Sequence, residues 1–161
     1  MKRHPALIPL SRDHHNGLVQ ALGLRRAAAD GDASARLAAA REFGEFFRNE
    51  ERVHLRDEEE ELFPLLLRHV PSQPAPLREA RVQHVQLEGF ARKLDIAVAA
   101  GIVDRETLDA AGALLDAHIR LEERQLFPLI EELVPDGELR RLGLAERDAT
   151  CAVRPPPPPT S

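Results

Sequence analysis

The sequence predicts an all-α protein, an up-down-up-down four-helix bundle with a short C-terminal helix and a proline-rich tail, on three observations. The 161-residue chain is 43% hydrophobic and 30% charged, and its aromatic residues, 4% of the total, are all Phe. Ala, Leu, Glu and Arg, strong helix formers, are abundant, whereas alternating runs of strand formers are missing. Apolar residues recur at the i, i+3/i+4 spacing of amphipathic helices. Third, one motif occurs twice: H-L-R-D-E-E-E-E-L-F-P from His54 to Pro64, and H-I-R-L-E-E-R-Q-L-F-P from His118 to Pro128. A length of 161 residues predicts one domain, residues 1–150, and a disordered proline-rich tail, 151–161.

Taken in order, residues 1–10 hold Pro5 and Pro9 and read as an irregular arm. Ser11 is a good N-cap, and Leu18, Val19, Leu22 and Ala29 mark the apolar stripe of a first helix from Arg12 to about Asp30. The segment from Gly31 to Ser34 is turn chemistry and supplies the next N-cap. A second helix then runs from about Ala35, with Leu37, Phe43, Phe46, Phe47, Val53 and Leu62 facing inward, as far as the Leu-Phe-Pro segment or one turn beyond. Pro64 lacks a backbone donor, so the helix should bend or stop just after the His54/Glu58 pair. Pro71, Pro74 and Pro76 make the following segment a loop. A third helix occupies about Leu77 to Ala100, with Leu77, Val85, Leu87, Phe90, Leu94 and Val98 available to the core, and ends near Gly101. Asp104 or Thr107 opens a fourth, which continues through Leu114, Leu115, His118 and Leu121 to the second Leu-Phe-Pro. The turn at Pro135–Gly137 precedes a short polar helix, about Glu138 to Asp148, and Pro155–Pro159 favour an extended polyproline segment. Helices one and two thus form a half related to helices three and four, and short connections favour an up-and-down path.

Charge and composition exclude several functions. The net charge of −5 is mild and the basic residues are interleaved with acidic ones, so no footprint for nucleic acid is present. The opening segment has no apolar stretch suited to secretion, and no run of ~20 apolar residues follows, so no membrane association is expected. The single Cys151 excludes an internal disulfide, which fits a reducing, cytoplasmic setting. No nucleophile elbow or phosphate loop is visible; Gly17 and Gly23 lie in a helix, without the strand such a loop follows.

The chemistry lies in the histidines. Residues four apart on a helix lie one above the other, so His54/Glu58 and His118/Glu122 each present an imidazole and a carboxylate from one stripe. His84, in Q-H-V-Q-L-E on helix three, matches the place of D-H-H-N-G-L on helix one, which holds His14 and His15. His4, in the arm, and His69, near the end of helix two, read as structural or solvent-exposed. Buried imidazoles and carboxylates without partners are costly, and a metal ion supplies the partner. This donor set suits iron, manganese or zinc, and two glutamates inside a bundle are a means of bridging two ions.

The pattern H, HxxxE with Leu-Phe-Pro, H, HxxxE with Leu-Phe-Pro resembles the hemerythrin-like (HHE cation-binding) family over about residues 10–134. That resemblance implies a non-haem centre of two iron ions in a four-helix bundle, bridged by Glu58 and Glu122 and capped by His54, His84, His118 and a helix-one histidine. Zinc or manganese are the alternatives. For helix one, family members place an acidic residue just before the histidine, which points to His14 after Asp13, and an apolar residue three positions later, which points to His15 with Leu18. The register with Leu18, Val19 and Leu22 favours His15, with His14 as an outer supporting group; the two remain in competition. Oxygen-carrying members have a further histidine where this chain has Glu88, and an aspartate where it has Glu122, so simple reversible oxygen carriage is in doubt. Glu88 reads equally as a further ligand and as a solvated carboxylate. Glu59 and Glu123 read mainly as surface charge, or else as acceptors for the histidines.

What the resemblance implies for function is a centre that binds or senses dioxygen, nitric oxide or peroxide, or handles iron. A di-iron oxidase or peroxidase is the enzyme-class alternative, although the absence of Tyr removes a common redox relay. The other alternative is an interaction module that the metal only stabilises. A metal-binding protein is favoured over an enzyme, and the sequence names no protein partner.

Overall fold

Capping and proline chemistry decide where each helix begins and ends. The structure, a computed structural model, describes residues 3–142. Helix α1 spans Ile8–Asp30 and follows a 3-10 turn, Pro5–Leu7, in which the His4 ring nitrogen accepts from Ala6 N–H and the His4 carbonyl from Leu7 N–H. The expected irregular arm is thus corrected. Pro5 and Pro9 sit in first turns, where a missing donor costs nothing, and burial of Leu7 and Leu10 holds the segment down. Asp32 caps the next rod by accepting from Ala35 N–H at 2.8 Å.

That rod, α2 (residues 33–67), is continuous but not uniform. Its α-helical pieces, Ala33–Phe46, Arg52–Asp57 and Phe63–Leu67, are joined by two wide π turns, Phe47–Glu51 and Glu58–Leu62. Helix α3 covers Ala75–Ala100 and stops at Gly101, whose φ of 73° is left-handed and suits a residue without Cβ. Helix α4 (residues 105–133) begins with Asp104 accepting from Thr107 N–H at 2.7 Å. It contains a π turn, Glu122–Leu126, before its last segment, Phe127–Leu133. A short α5, Asp136–Leu139, and a 3-10 turn, Arg140–Leu142, close the described chain. The expected polar helix 138–148 therefore begins earlier; its remainder and the proline tail lie outside the described residues. No strand occurs among the described residues, and none of their helices is long and apolar enough to cross a membrane.

The proline of each Leu-Phe-Pro corrects a second expectation: the helix neither stops nor breaks there. An interior proline removes one donor and crowds the carbonyl four residues earlier. Both rods answer by widening the turn just before it, so that Phe63 N–H reaches back to the Glu58 carbonyl and Phe127 N–H to the Glu122 carbonyl.

Helix α1 packs along α2 and α4, and α3 does the same. Two apolar clusters form the core. One gathers Leu7, Leu10, Leu62, Phe63, Leu66, Leu77, Phe127 and Ile130, the other Leu24, Phe43, Phe47, Leu87, Leu94, Leu108, Leu115 and Ile119. On every long helix a buried polar stretch separates residues of the first cluster from residues of the second. Leu10 and Ala21 flank His14, Leu55 and Leu62 flank Glu58, Ala80 and Leu87 flank His84, and Ile119 and Leu126 flank Glu122. Several assigned core positions instead face out: Val19, Leu22, Val53 and Val85 are 57%, 49%, 41% and 69% exposed.

Candidate metal centre

Between the two apolar clusters the backbone delivers imidazoles and carboxylates to one level. His54 and Glu58, and likewise His118 and Glu122, are stacked at i and i+4, each glutamate opening a π turn. His14 reaches in from α1 and His84 from α3; all six side chains are buried, and Glu58, His118 and Glu122 are wholly inaccessible.

The imidazoles converge through Nε2. His14 Nε2 lies 3.0 Å from Glu122 Oε2 and 3.1 Å from His54 Nε2. His54 Nε2 is 3.4 Å from Glu58 Oε1 and His84 Nε2 3.3 Å from Glu58 Oε2. His84 Nε2 and His118 Nε2 approach Glu122 at 3.7 and 3.6 Å. Two overlapping donor groups result, His14–His54–Glu58–Glu122 and Glu58–His84–His118–Glu122, each with one atom per residue within 4.8 Å of the others. Glu58 and Glu122 belong to both. Both oxygens of Glu58, one of Glu122, and Nε2 of His84 and of His118 are buried without a hydrogen-bond partner. Such orphaned buried polar atoms are expensive, and a cation that displaces the imidazole protons satisfies them all at once. The donor set therefore fits one or two cations.

Electrostatics in the cation-free protein reflect the same crowding. Burial pulls the His14 imidazolium down, but hydrogen bonds to Glu122 and Glu123 outweigh it and lift the pKa to about 9. At His84 burial is likewise overcome, by Glu122, Glu58 and Glu59, and the value reaches about 11. His54 rises well above the imidazole range because Glu58 and Asp13 outweigh its burial. At His118 burial wins and the pKa falls to about 4. Burial would raise the Glu122 carboxyl, yet the neighbouring imidazoles of His118, His14 and His84 hold it well below the ordinary range. Protons on the imidazoles thus compensate, in the absence of a cation, for the buried carboxylates.

Each Nδ1 points outward to a fixed acceptor. His14 Nδ1–H donates to Glu123 Oε1 at 2.8 Å, His84 Nδ1–H to Glu59 Oε1 at 2.9 Å, His54 Nδ1–H to Asp13 Oδ2 at 3.2 Å, and His118 Nδ1–H to Gln83 Oε1 at 3.1 Å. These bonds aim the rings and keep Nε2 toward the interior, where loss of its proton to an incoming cation leaves the tautomer a metal needs. The Leu-Phe-Pro phenylalanines add a flat wall: His14 stacks on Phe127 at 5.2 Å and 15°, and His84 on Phe63 at 5.6 Å and 16°. An arginine finishes each arrangement. Arg3 binds Glu123 at 2.6 Å and lies over the Phe127 ring, while Arg81 binds Glu59 at 3.0 Å and lies over Phe63. The quartets Arg3/Glu123/His14/Phe127 and Arg81/Glu59/His84/Phe63 are two copies of one device.

Of the sequence-predicted residues, His14, His54, Glu58, His84, His118 and Glu122 come together. His15 does not: it is exposed on the far side of α1 and outside both donor groups. The register argument is corrected because the buried stripe of α1 is Leu10, His14, Gly17, Ala21, Leu24 and Ala28, a heptad-like row half of which is Gly or Ala, while Leu18 packs only at its margin and Val19 and Leu22 are exposed. Glu88 pairs with Arg92 at 3.5 Å and also stands outside both groups. Glu59 and Glu123, read mainly as surface charge, are hydrogen-bond acceptors for the histidines. Sequence reasoning missed Arg3, Arg81, Gln83 and Glu51. Glu51 is a carboxyl near His54 and His14 that burial lifts to about 7; only its position one turn before His54 signals it.

The family model of the hemerythrin HHE cation-binding domain matches residues 6–130. Comparison with the curated proteins finds no match, and comparison with the solved structures finds none.

Proposed function

The chain belongs to the hemerythrin HHE cation-binding domain family, and on that premise we propose that it is a non-haem di-iron protein that binds dioxygen, nitric oxide or peroxide. The observation that carries this reading is the pair of overlapping donor groups sharing Glu58 and Glu122, with orphaned oxygens and Nε2 atoms aimed at one interior space. Two carboxylates common to both groups suit a pair of ions better than one. A mixed imidazole and carboxylate set suits iron, with zinc and manganese as the competing ions.

In this reading His14 and His54 would hold one iron and His84 and His118 the other, with Glu58 and Glu122 available to both. Iron held there would supply the binding of small oxygen and nitrogen species. The chain's own residues do the rest. Glu123, Asp13, Glu59 and Gln83 aim the imidazoles, Phe127 and Phe63 wall off two of them, and the two apolar clusters exclude water on either side. A surface hollow of about 370 Å³, lined by Arg52, Val53, Leu55, Arg56, Glu59, His84 and Glu88, gives a small molecule an approach to the His84 side. The alternating order in which successive helices traverse the two clusters supports an up-down-up-down path. A reducing, cytoplasmic compartment, in keeping with the single Cys151, suits a ferrous resting form.

The test is anaerobic iron loading of the purified protein, metal counting, and near-ultraviolet and visible spectra before and after air and nitric oxide. Two irons per chain, and bands that change on exposure to either gas, are expected. His54→Ala and His118→Ala should lose iron while His69→Ala keeps it. One zinc per chain, or full iron retention by the first two variants, refutes the proposal.

A further inference from the structure

We propose that the two cation positions are unequal: the His14–His54 position fills first and holds its ion tightly, while the His84–His118 position is weaker and exchangeable. This inference rests on the two-cation reading above and adds to it an order of filling set by residues outside the donor groups.

Around the ligand set the duplicated halves differ at two places that bear on the charge a cation would feel. In one, Asp13 accepts from the first HxxxE histidine, and its counterpart Gln83 accepts from the second. Gln83 is held with its oxygen toward His118, because its Nε2–H donates to Glu79 at 3.2 Å. A carboxylate behind an imidazole makes the inward nitrogen a stronger donor, whereas an amide oxygen aims the ring without adding charge. In the other, the buried Glu51 stands one turn before His54 on α2, and the corresponding place one turn before His118 holds the buried, apolar Leu115. A cation between His14 and His54 therefore has the carboxylates of Asp13 and Glu123 behind its ligands, with the buried Glu51 adding charge once ionised, whereas behind His84 and His118 the described residues place the Glu59 carboxylate and the Gln83 amide. The bridging carboxylates are common to both and cancel in the comparison.

Access differs in the same sense. The hollow lined by Arg52, Arg56, Glu59, His84 and Glu88 opens beside His84, so the position with less negative charge is also the one adjoining the surface. Asp13 is half exposed, at 50% of its side chain, which places its effect near the lower end of the 10- to 100-fold range for groups behind a metal ligand, about ten-fold.

The probe is zinc, which undergoes no redox change. Metal-stripped full-length protein is titrated with Zn²⁺ against a chromophoric chelator, with circular dichroism on every variant to confirm helix content. The wild type should bind two ions with affinities at least about ten-fold apart. Asp13→Asn should weaken the tighter step about ten-fold and leave the weaker one in place; Gln83→Glu should tighten the weaker step. His118→Ala should keep the tight step and His54→Ala should lose it. Wild-type steps of equal affinity, or Asp13→Asn and Gln83→Glu curves superimposable on the wild type, overturn the inference while leaving two cations bound. Failure of folded wild-type protein to bind any ion overturns instead the reading on which it rests. Asp13 and Gln83 lie outside the donor groups, so these two variants decide the matter even where a histidine variant does not fold.

Discussion

At the residue scale, the centre depends on hydrogen bonds that face away from it. Glu123 and Glu59 stand directly after Glu122 and Glu58, yet each serves a histidine from a different helix of the bundle. Replacing Glu123 by Gln removes the charge behind His14 and should lower metal affinity at least about ten-fold, read by competition with a chromophoric chelator; unchanged affinity would show that His14 needs no such support. His14→Ala should lose metal and His15→Ala should not, and the reverse result would restore the register favoured by Leu18. The histidine and glutamate set was legible because ligand spacing is local and duplicated, so that His54, Glu58, His118 and Glu122 announce themselves by i+4 pairing. The choice on helix one was not legible in the same way. Leu18, Val19 and Leu22 imitate a buried stripe, and the true stripe hides its signal in Gly17, Ala21 and Ala28, which are small because a neighbouring helix comes close.

At the scale of elements, that close approach is between α1 and α4. A Cβ on Gly112 would stand 2.7 Å from the Ala21 carbonyl oxygen and 3.2 Å from Leu24 Cβ, and backbone cannot swing aside as a side-chain tip can. Gly112→Ala should therefore destabilise the fold by about 1–3 kcal/mol despite alanine's better helix propensity, measured by chemical denaturation; a neutral or stabilising result would mean that the pair of helices is free to separate. The start of α4 offers a cleaner, local test. The Asp104 carboxyl accepts Thr107 N–H, and this bond holds its pKa below the usual 3.8. A depressed folded-state value means that the cap stabilises fully above pH 3.8 and is lost as pH falls through the lower folded value. Asp104→Ala should cost about 1 kcal/mol at neutral pH, and the difference from wild type should shrink in acid below that window. Element limits were readable at Asp104 and Gly101, whereas Ser11, expected to cap the first helix, lies inside α1, and the second rod begins at Ala33, two residues earlier than expected. The π turns were not, since a proline in a helix signals a disturbance without saying whether the chain will break or widen.

For the whole molecule, the polar layer between two apolar clusters sets a condition on stability. Without a cation the layer relies on protonated imidazoles to offset buried carboxylates; with one, the orphaned oxygens and nitrogens gain a partner. Ions that bind only the folded chain add RT ln(1 + [L]/Kd), about 4 kcal/mol when free metal stands at a thousand times Kd. Chelation should accordingly lower the thermal midpoint by many degrees, and scans that coincide with and without chelator would mean that the layer is stable unaided. The duplication seen in the motifs has a further meaning at this scale. One quartet joins α1 to α4 and the other joins α2 to α3, so neither half of the chain contains a complete one. The halves are reciprocal: each lends the glutamate, the aromatic wall and the shared carboxylate that make the other's lone histidine useful. A chain severed in the connection between α2 and α3 would yield two fragments, each carrying an HxxxE pair and neither able to aim all of its imidazoles, and only their reassociation would recreate the grip.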